Sequence, residues 1–469
     1  MEAIVQLRQH TKRLFDKLVA SQLRRNMASG VVAALINAGT ALVGYPIYTQ
    51  FLGLEVYGIW LILATFMQLA LLGDLGISQA LTKLVAEARG HENRSEIQHH
   101  ITAAILILGF SATVILAAIL IARPWLAGLF QLSPDHAKTV TQLLPTIGLF
   151  TIYAMLCQVY HATLSGLGRM DLANYIQSIG RAIGVLVAAT LVALGGGIAA
   201  MLVGTAVTCL FTHAAFALTL RRCENIRLLP NRLPRLKQVK RILTFGSGVF
   251  SASLVRQALS PFNKFLLCRF CGVASVPIYE IAFSCSQQIR SFVEAAIRAI
   301  MPEVSRISAE SKDVKNRVRR LDGRAQKLML ILSSPTYLIA FLSLNPLLTV
   351  WLGNALARPL TPVLTVMLVG SFVSLMGVPS YYTLMGMGQI RTIFKASVIY
   401  VGTNVFIAAA ILLFASSITP VKLAWCVMLA LSTTAIYLIF QKRRLLENLA
   451  VSPPLQCDTS RSLIDNAAA

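Results

Sequence analysis

The sequence predicts an all-α integral membrane protein with twelve transmembrane helices in two pseudo-symmetric six-helix bundles around a central cleft. Three observations predict it. The 469 residues are 56% hydrophobic, with a mean hydropathy of +0.68, above the roughly 45–50% apolar share of soluble domains. The apolar stretches run about 17–25 residues, the length that crosses a hydrocarbon core as a helix, and lack the alternating ten-residue pattern of barrel strands. Basic residues crowd into every second connection.

In chain order, the spans fall at 26–52, 56–82, 99–121, 141–164, 172–194, 197–220, 242–268, 276–301, 325–350, 362–386, 393–415 and 418–440. Residues 1–25 carry Ile4, Leu7, Leu14, Phe15 and Leu18 among basic residues, which reads as a helix lying on an anionic leaflet or as a solvated basic tail. The first bundle then covers 26–220, a basic linker 221–241, and the second bundle 242–440. The remainder, 441–469, with Pro453-Pro454 and small polar residues, reads as a disordered tail. The first span is long enough to cross and follows a long basic stretch, so it is expected to stay in place and not to be a cleaved signal.

The net charge of +23 is explained by its placement. One side collects Arg24, Arg25, Arg89, Arg169, the runs 221–241 and 306–327, Arg391 and Lys442; the other holds Arg123, Lys138, Arg269, Arg358 and Lys422. By the positive-inside rule both termini are cytoplasmic. A nucleic-acid site is the poorer account, because the basic loops flank membrane ends and carry no binding module. The eight cysteines are scattered and give no disulfide framework. Cys268 and Cys271 form a CxxC without a second pair or nearby histidines, so they read as packing residues; no metal or cofactor is expected.

Gln287, Arg290, Glu294 and Arg298 recur every three or four residues within 276–301. That spacing puts all four on one helix face. Charge at membrane depth is costly, about 2.5–3.5 kcal/mol on insertion scales, and so marks a polar cavity such as a transporter needs.

Thr163-Leu-Ser-Gly-Leu-Gly-Arg-Met170, after the fourth span, is echoed by Thr383-Leu-Met-Gly-Met-Gly-Gln-Ile390 after the tenth, 220 residues later. Near the same offset, Phe51-Leu-Gly53 has its counterpart in Phe270-Cys-Gly272. Six spans per copy make a parallel repeat, which places a substrate site between two bundles near the midplane. The repeat sets Arg256 opposite Asn37, Lys264 opposite Tyr45 and Glu294 opposite Asp74. The second half is the more cationic at its core.

The segment Phe51-Leu-Gly-Leu-Glu-Val-Tyr-Gly-Ile-Trp60, followed by Leu71-Leu-Gly-Asp-Leu-Gly-Ile-Ser78, resembles the polysaccharide flippases. These are the O-antigen and lipid-linked oligosaccharide translocases of the multidrug/oligosaccharidyl-lipid/polysaccharide exporter superfamily. The glycine turns at 164–169 and 384–389 fit the same pattern. The resemblance implies two six-helix bundles with alternating access, in a bacterial cytoplasmic membrane. The implied substrate is a glycan on undecaprenyl diphosphate, moved from the inner to the outer leaflet, with polysaccharide polymerase machinery as a possible protein partner.

A diphosphate needs hydrogen-bond donors and positive charge, and guanidinium suits phosphate oxygens. Arg256 and Arg298 are the first candidates, then Arg181 and Lys264. Lys264 also suits a snorkelling position near head groups. Asn37, Gln287, Arg290 and Glu294 are expected to line or gate the cavity, the last two equally suited to a structural i,i+4 ion pair. Asp74 is a candidate for ion coupling or, more simply, for capping a helix break between Gly73 and Gly76; His213 is a candidate proton relay or a packing residue. An ion-coupled drug antiporter of the same fold is the alternative, disfavoured by the arginines. A membrane polymerase or ligase is expected to carry a large outer loop, but the connections near 122–140 and 351–361 are short; no P-loop or nucleophile constellation is present.

Overall fold

The structure, a computed structural model, describes residues 2–90, 93–130, 132–223, 226, 239–240, 242–243, 254–295, 297, 304, 307, 314–415 and 417–448. Regular structure among them is helical throughout. Helix α1 (Glu2–Ile47) passes through a π-helical turn, Tyr48–Leu52, into α2 (Gly53–Ala70). A 3-10 turn, Leu71–Asp74, leads to α3 (Ile77–Gly90). The first half continues with α4 (Arg94–Leu129), α5 (Pro134–Gly166), α6 (Met170–Ala193) and α7 (Gly197–Cys223). The second half holds α8 (Leu259–Cys271), α9 (Ser275–Ala295), α10 (Val314–Leu352) and α11 (Asn354–Leu375). It ends with α12 (Val378–Gly386), α13 (Ile390–Ala415) and α14 (Pro420–Asn448).

Nine helical stretches among the described residues are long and apolar enough to cross a membrane, against the twelve spans expected. The difference has local causes. Spans one and two run together as one helical stretch, Ala28–Ala70, because the chain changes direction at Gly53 without unwinding. Spans seven and eight are described only in part, and span two is divided into α2 and α3 at the Gly73–Gly76 bend. Large apolar side chains, among them Phe110, Trp125, Leu342, Phe406 and Phe414, face outward. A surface this apolar is stable only in lipid or under a partner.

Two expected boundaries move. Helix α1 runs unbroken through the expected limit at residue 25. The segment expected to be a tail from 441 is helical as far as Asn448, and Lys442 lies buried against Asp322, with Nζ 2.5 Å from Oδ2. The attraction of a buried carboxylate ties α14 at Lys442 to α10; the segment 449–469 lies outside the described residues.

The internal repeat is visible in the backbone. Gly53 (φ 73°, ψ 168°) and Gly272 (φ 79°, ψ 164°) adopt the same left-handed turn at the ends of α1 and α8. After α5, the amides of Leu167, Gly168 and Arg169 bond to the carbonyls of Thr163, Ser165 and Leu164. After α12, Met387, Gly388 and Gln389 bond to Thr383, Met385 and Leu384 in the same pattern. Gly168 and Gly388 both have positive φ, 76° and 73°, which costs a residue with a Cβ but not glycine.

Helices within the first half meet through small residues. Gly184 of α6 lies against Gly204 and Thr208 of α7, and Gly180 against Thr212. This spacing of four lets two backbones approach where lipid offers no hydrophobic drive. Contacts across the two halves gather at the end that carries Gly53 and Gly272. There Trp351 Nε1 donates to the Leu42 carbonyl (2.7 Å), Phe130 meets Phe265 edge-on, and Gly58 packs on the Val273 carbonyl. At the Gly168 and Gly388 end the described polar contacts stay within one half, as in Asn26 to the Gly168 carbonyl and Lys442 to Asp322. Among the described residues, the two halves are sealed at the Gly53 and Gly272 end.

Candidate functional site

Among the described residues, two cavities between the helices carry most of the expected site residues. The larger, about 1670 Å³, is bounded chiefly by α1, α2, α5, α6 and α7, with Lys264, Glu280, Phe292 and Thr336 from the second half. It extends from Asn26 on α1 to Tyr48 in the π-helical turn, 22 steps along the chain, or about 33 Å at 1.5 Å per residue. Buried Tyr48 and Tyr57 close it at the sealed end. The smaller, about 690 Å³, lies within the second half between α8, α9 and α11 to α14.

The repeat relates the two. A shift of 219 residues carries Asn37, Gly44 and Gln68 of the larger cavity onto Arg256, Asn263 and Gln287 of the smaller. A shift of 220 carries Cys157 and His161 onto Gly377 and Tyr381. Each half has a hollow at the corresponding place, and that of the first half merges with the space between halves.

The residues expected to share one cleft are divided between these hollows. Arg181, Asn37 and Lys264 line the larger; Arg256, Gln287, Arg290 and Glu294 line the smaller. Arg298 lies outside the described residues. Arg181 is exposed to the larger cavity, and among the described residues no carboxylate pairs with it. Lys264 does not snorkel: it is 1% exposed, with Nζ 3.1 Å from Glu280 Oε2. Burial in a dry interior makes an ion pair far cheaper than a lone ammonium. Asn37 keeps its Oδ1 buried without a donor.

In the smaller cavity, Arg290 Nε lies 3.4 Å from Glu294 Oε2 and a second nitrogen of Arg290 donates to Ser374 Oγ. Glu294 Oε1 accepts from the Tyr382 hydroxyl at 2.8 Å. Arg256 faces the same space with no carboxylate partner among the described residues. Asp74 and His213 line neither cavity. Asp74 sits in the bend where Leu75 and Gly76 take positive φ (48° and 74°). Its Oδ1 accepts from the Ser78 amide (3.2 Å) and hydroxyl (2.6 Å), satisfying the start of α3. His213 stacks on Tyr153 and meets Tyr160 edge-on, both ring centroids at 5.2 Å.

Glu280 and Tyr382 escaped the sequence reading. Glu280 had a signal: it is the sole carboxylate between residues 256 and 293, so a buried Lys264 had one acid within that stretch to meet. Tyr382 had none, since a tyrosine set between Tyr381 and Thr383 does not reveal which helix it faces.

The sequence profile described as "Polysaccharide biosynthesis protein" matches residues 23–308. Among curated proteins no relative matches this chain. Solved structures share the fold. An inward-facing multidrug resistance MATE family transporter of the MOP superfamily superposes with a TM-score of 0.70 at 14% identity, covering 90% of this chain and 96% of that one. The lipid II flippase MurJ, in an inward closed conformation, gives 0.70 at 12% identity over 91% and 94%. A Vibrio cholerae MATE transporter gives 0.64 at 14% identity over 92% and 98%.

Proposed function

Since the chain belongs to the polysaccharide biosynthesis protein family, we propose that it carries a lipid-linked oligosaccharide across a bacterial cytoplasmic membrane by alternating access, with the diphosphate held at Arg181. The observation that carries this is the charge balance of the larger cavity. Lys264 is neutralised by Glu280, while Arg181 is left with its guanidinium directed to open space and no described acid against it. An anion is the ligand such a surface favours. Asn37, Gln68, Gln158 and Gln177 add neutral donors around it.

The seal at the Gly53 and Gly272 end supports one stage of the cycle. With the basic loops cytoplasmic, a cavity sealed at the opposite end would take its carrier lipid from the inner leaflet. Aliphatic grooves between helices would hold the polyprenyl tail while the sugars cross in water. A carrier of organic cations would instead need acids and aromatic faces free in this space, and Glu280 is already spent on Lys264.

The test is reconstitution in vesicles with transbilayer movement of an undecaprenyl-diphosphate oligosaccharide followed over time. Arg181→Gln is expected to slow movement by about tenfold or more, equivalent to about 1.4 kcal/mol. No movement by the native protein, or full movement by the variant, overturns the proposal.

A further inference from the structure

The smaller cavity holds polar groups that the diphosphate reading leaves unused. Arg290 is balanced by Glu294, so among the described residues Arg256 supplies one uncompensated positive charge. Asn263 is 1% exposed; its Nδ2 donates to the Tyr279 hydroxyl (2.9 Å), and its Oδ1 is buried at the cavity with no donor. An orphaned buried acceptor is costly until a donor arrives. Ionised phosphate oxygens donate nothing, whereas a hydroxyl does. Phe283 lines the wall beside the buried Tyr279, the two rings parallel, 4° apart with centroids at 6.2 Å. The volume of about 690 Å³ is within the roughly 300–1,000 Å³ of small-ligand sites.

None of these groups is imposed by the repeat. The first half has Asn37, Gly44, Trp60 and Ala64 where the second has Arg256, Asn263, Tyr279 and Phe283. At these four positions the two halves differ, although the larger cavity has its own cation, unpaired among the described residues, in Arg181 and its own buried acceptor in Asn37 Oδ1.

We infer that this cavity is a separate sugar subsite that selects a pyranose carrying one carboxylate, a hexuronic acid. Arg256 takes the carboxylate, Asn263 Oδ1 accepts from a ring hydroxyl, and Phe283, backed by the buried Tyr279, covers the C–H side of the ring. The sugar is the head of the lipid-linked glycan, and this source rests on the transport reading above; the site itself does not.

Isothermal titration of the purified chain in nanodiscs tests it, using a glucuronate-terminated disaccharide, its neutral glucose analogue and inorganic pyrophosphate. The native protein is expected to bind the uronate at least tenfold more tightly than the neutral sugar. Arg256→Gln is expected to erase that preference, and Asn263→Leu to weaken both sugars alike. Pyrophosphate affinity unchanged in both variants shows that they remain folded. A native protein with no uronate preference, or an Arg256→Gln variant that keeps it, overturns the subsite, as does pyrophosphate binding that falls with Arg256→Gln and not with Arg181→Gln. Lipid movement that persists without uronate preference removes the subsite alone; uronate selection without lipid movement removes the transport reading alone and leaves a site for a free acidic sugar.

Discussion

Glu280 and Asp322 each hold a lysine inside the protein, Lys264 at 3.1 Å and Lys442 at 2.5 Å. Asp322 also accepts from Thr383 Oγ1 (3.3 Å), which ties α10, α12 and α14 together at the Gly388 turn. Removing one partner of a buried pair leaves the other charge uncompensated and costs about 3–5 kcal/mol. Lys442→Met is therefore expected to lower the thermal unfolding midpoint in detergent by several degrees, and the pair Lys442→Met with Asp322→Leu to recover most of the loss. A single variant as stable as the native chain would refute the role. Both lysines lie near span ends in the sequence, where a membrane-surface position is the simpler account, and nothing local distinguishes the two cases. A side chain long enough to reach a head group is also long enough to reach an acid on a neighbouring helix.

At the scale of elements, the contact of α6 with α7 depends on glycine. A Cβ on Gly184 falls 1.8 Å from Thr208 Oγ1 and 2.5 Å from the Gly204 carbonyl. The hydroxyl can rotate away, but the carbonyl is backbone and cannot. Gly184→Val is expected to destabilise the protein by about 1–3 kcal/mol, the usual range for overpacking, read as earlier thermal unfolding. Thr208→Gly added to it should restore only part, because the carbonyl clash stays; full recovery would show that the side chain alone set the spacing. The bend at Gly73 to Gly76 is a second element legible from residues, since two glycines around an aspartate both permit the break and cap the helix that follows.

Across the whole molecule, the seal at one end is thin and specific. A Cβ on Gly58 falls 2.5 Å from the Val273 carbonyl across the two halves. Gly58→Val is thus expected to force that end apart and populate the opposite conformation. Spin labels replacing Phe51 and Phe270, both exposed at the equivalent turns of the two halves, report it. The native chain should give one distance population and the variant a second, longer one; an unchanged distribution would show that the Gly58 contact does not hold the seal.

The sequence by itself determined the solvent, the helices and the repeat. Apolar runs of membrane length have one stable conformation in lipid, and a glycine at a left-handed turn states its backbone geometry wherever the chain goes next, as Gly53 and Gly272 or Gly168 and Gly388 do. Only the tertiary structure decided which hollow each charge enters. Helical period fixes the face on which Arg181, Arg256 and Lys264 stand relative to their own axes, but not the neighbour across that face. That neighbour is set by packing of helices distant in sequence, and so Arg181 and Arg256, expected in one cleft, line two cavities, while Lys264 is taken up by Glu280.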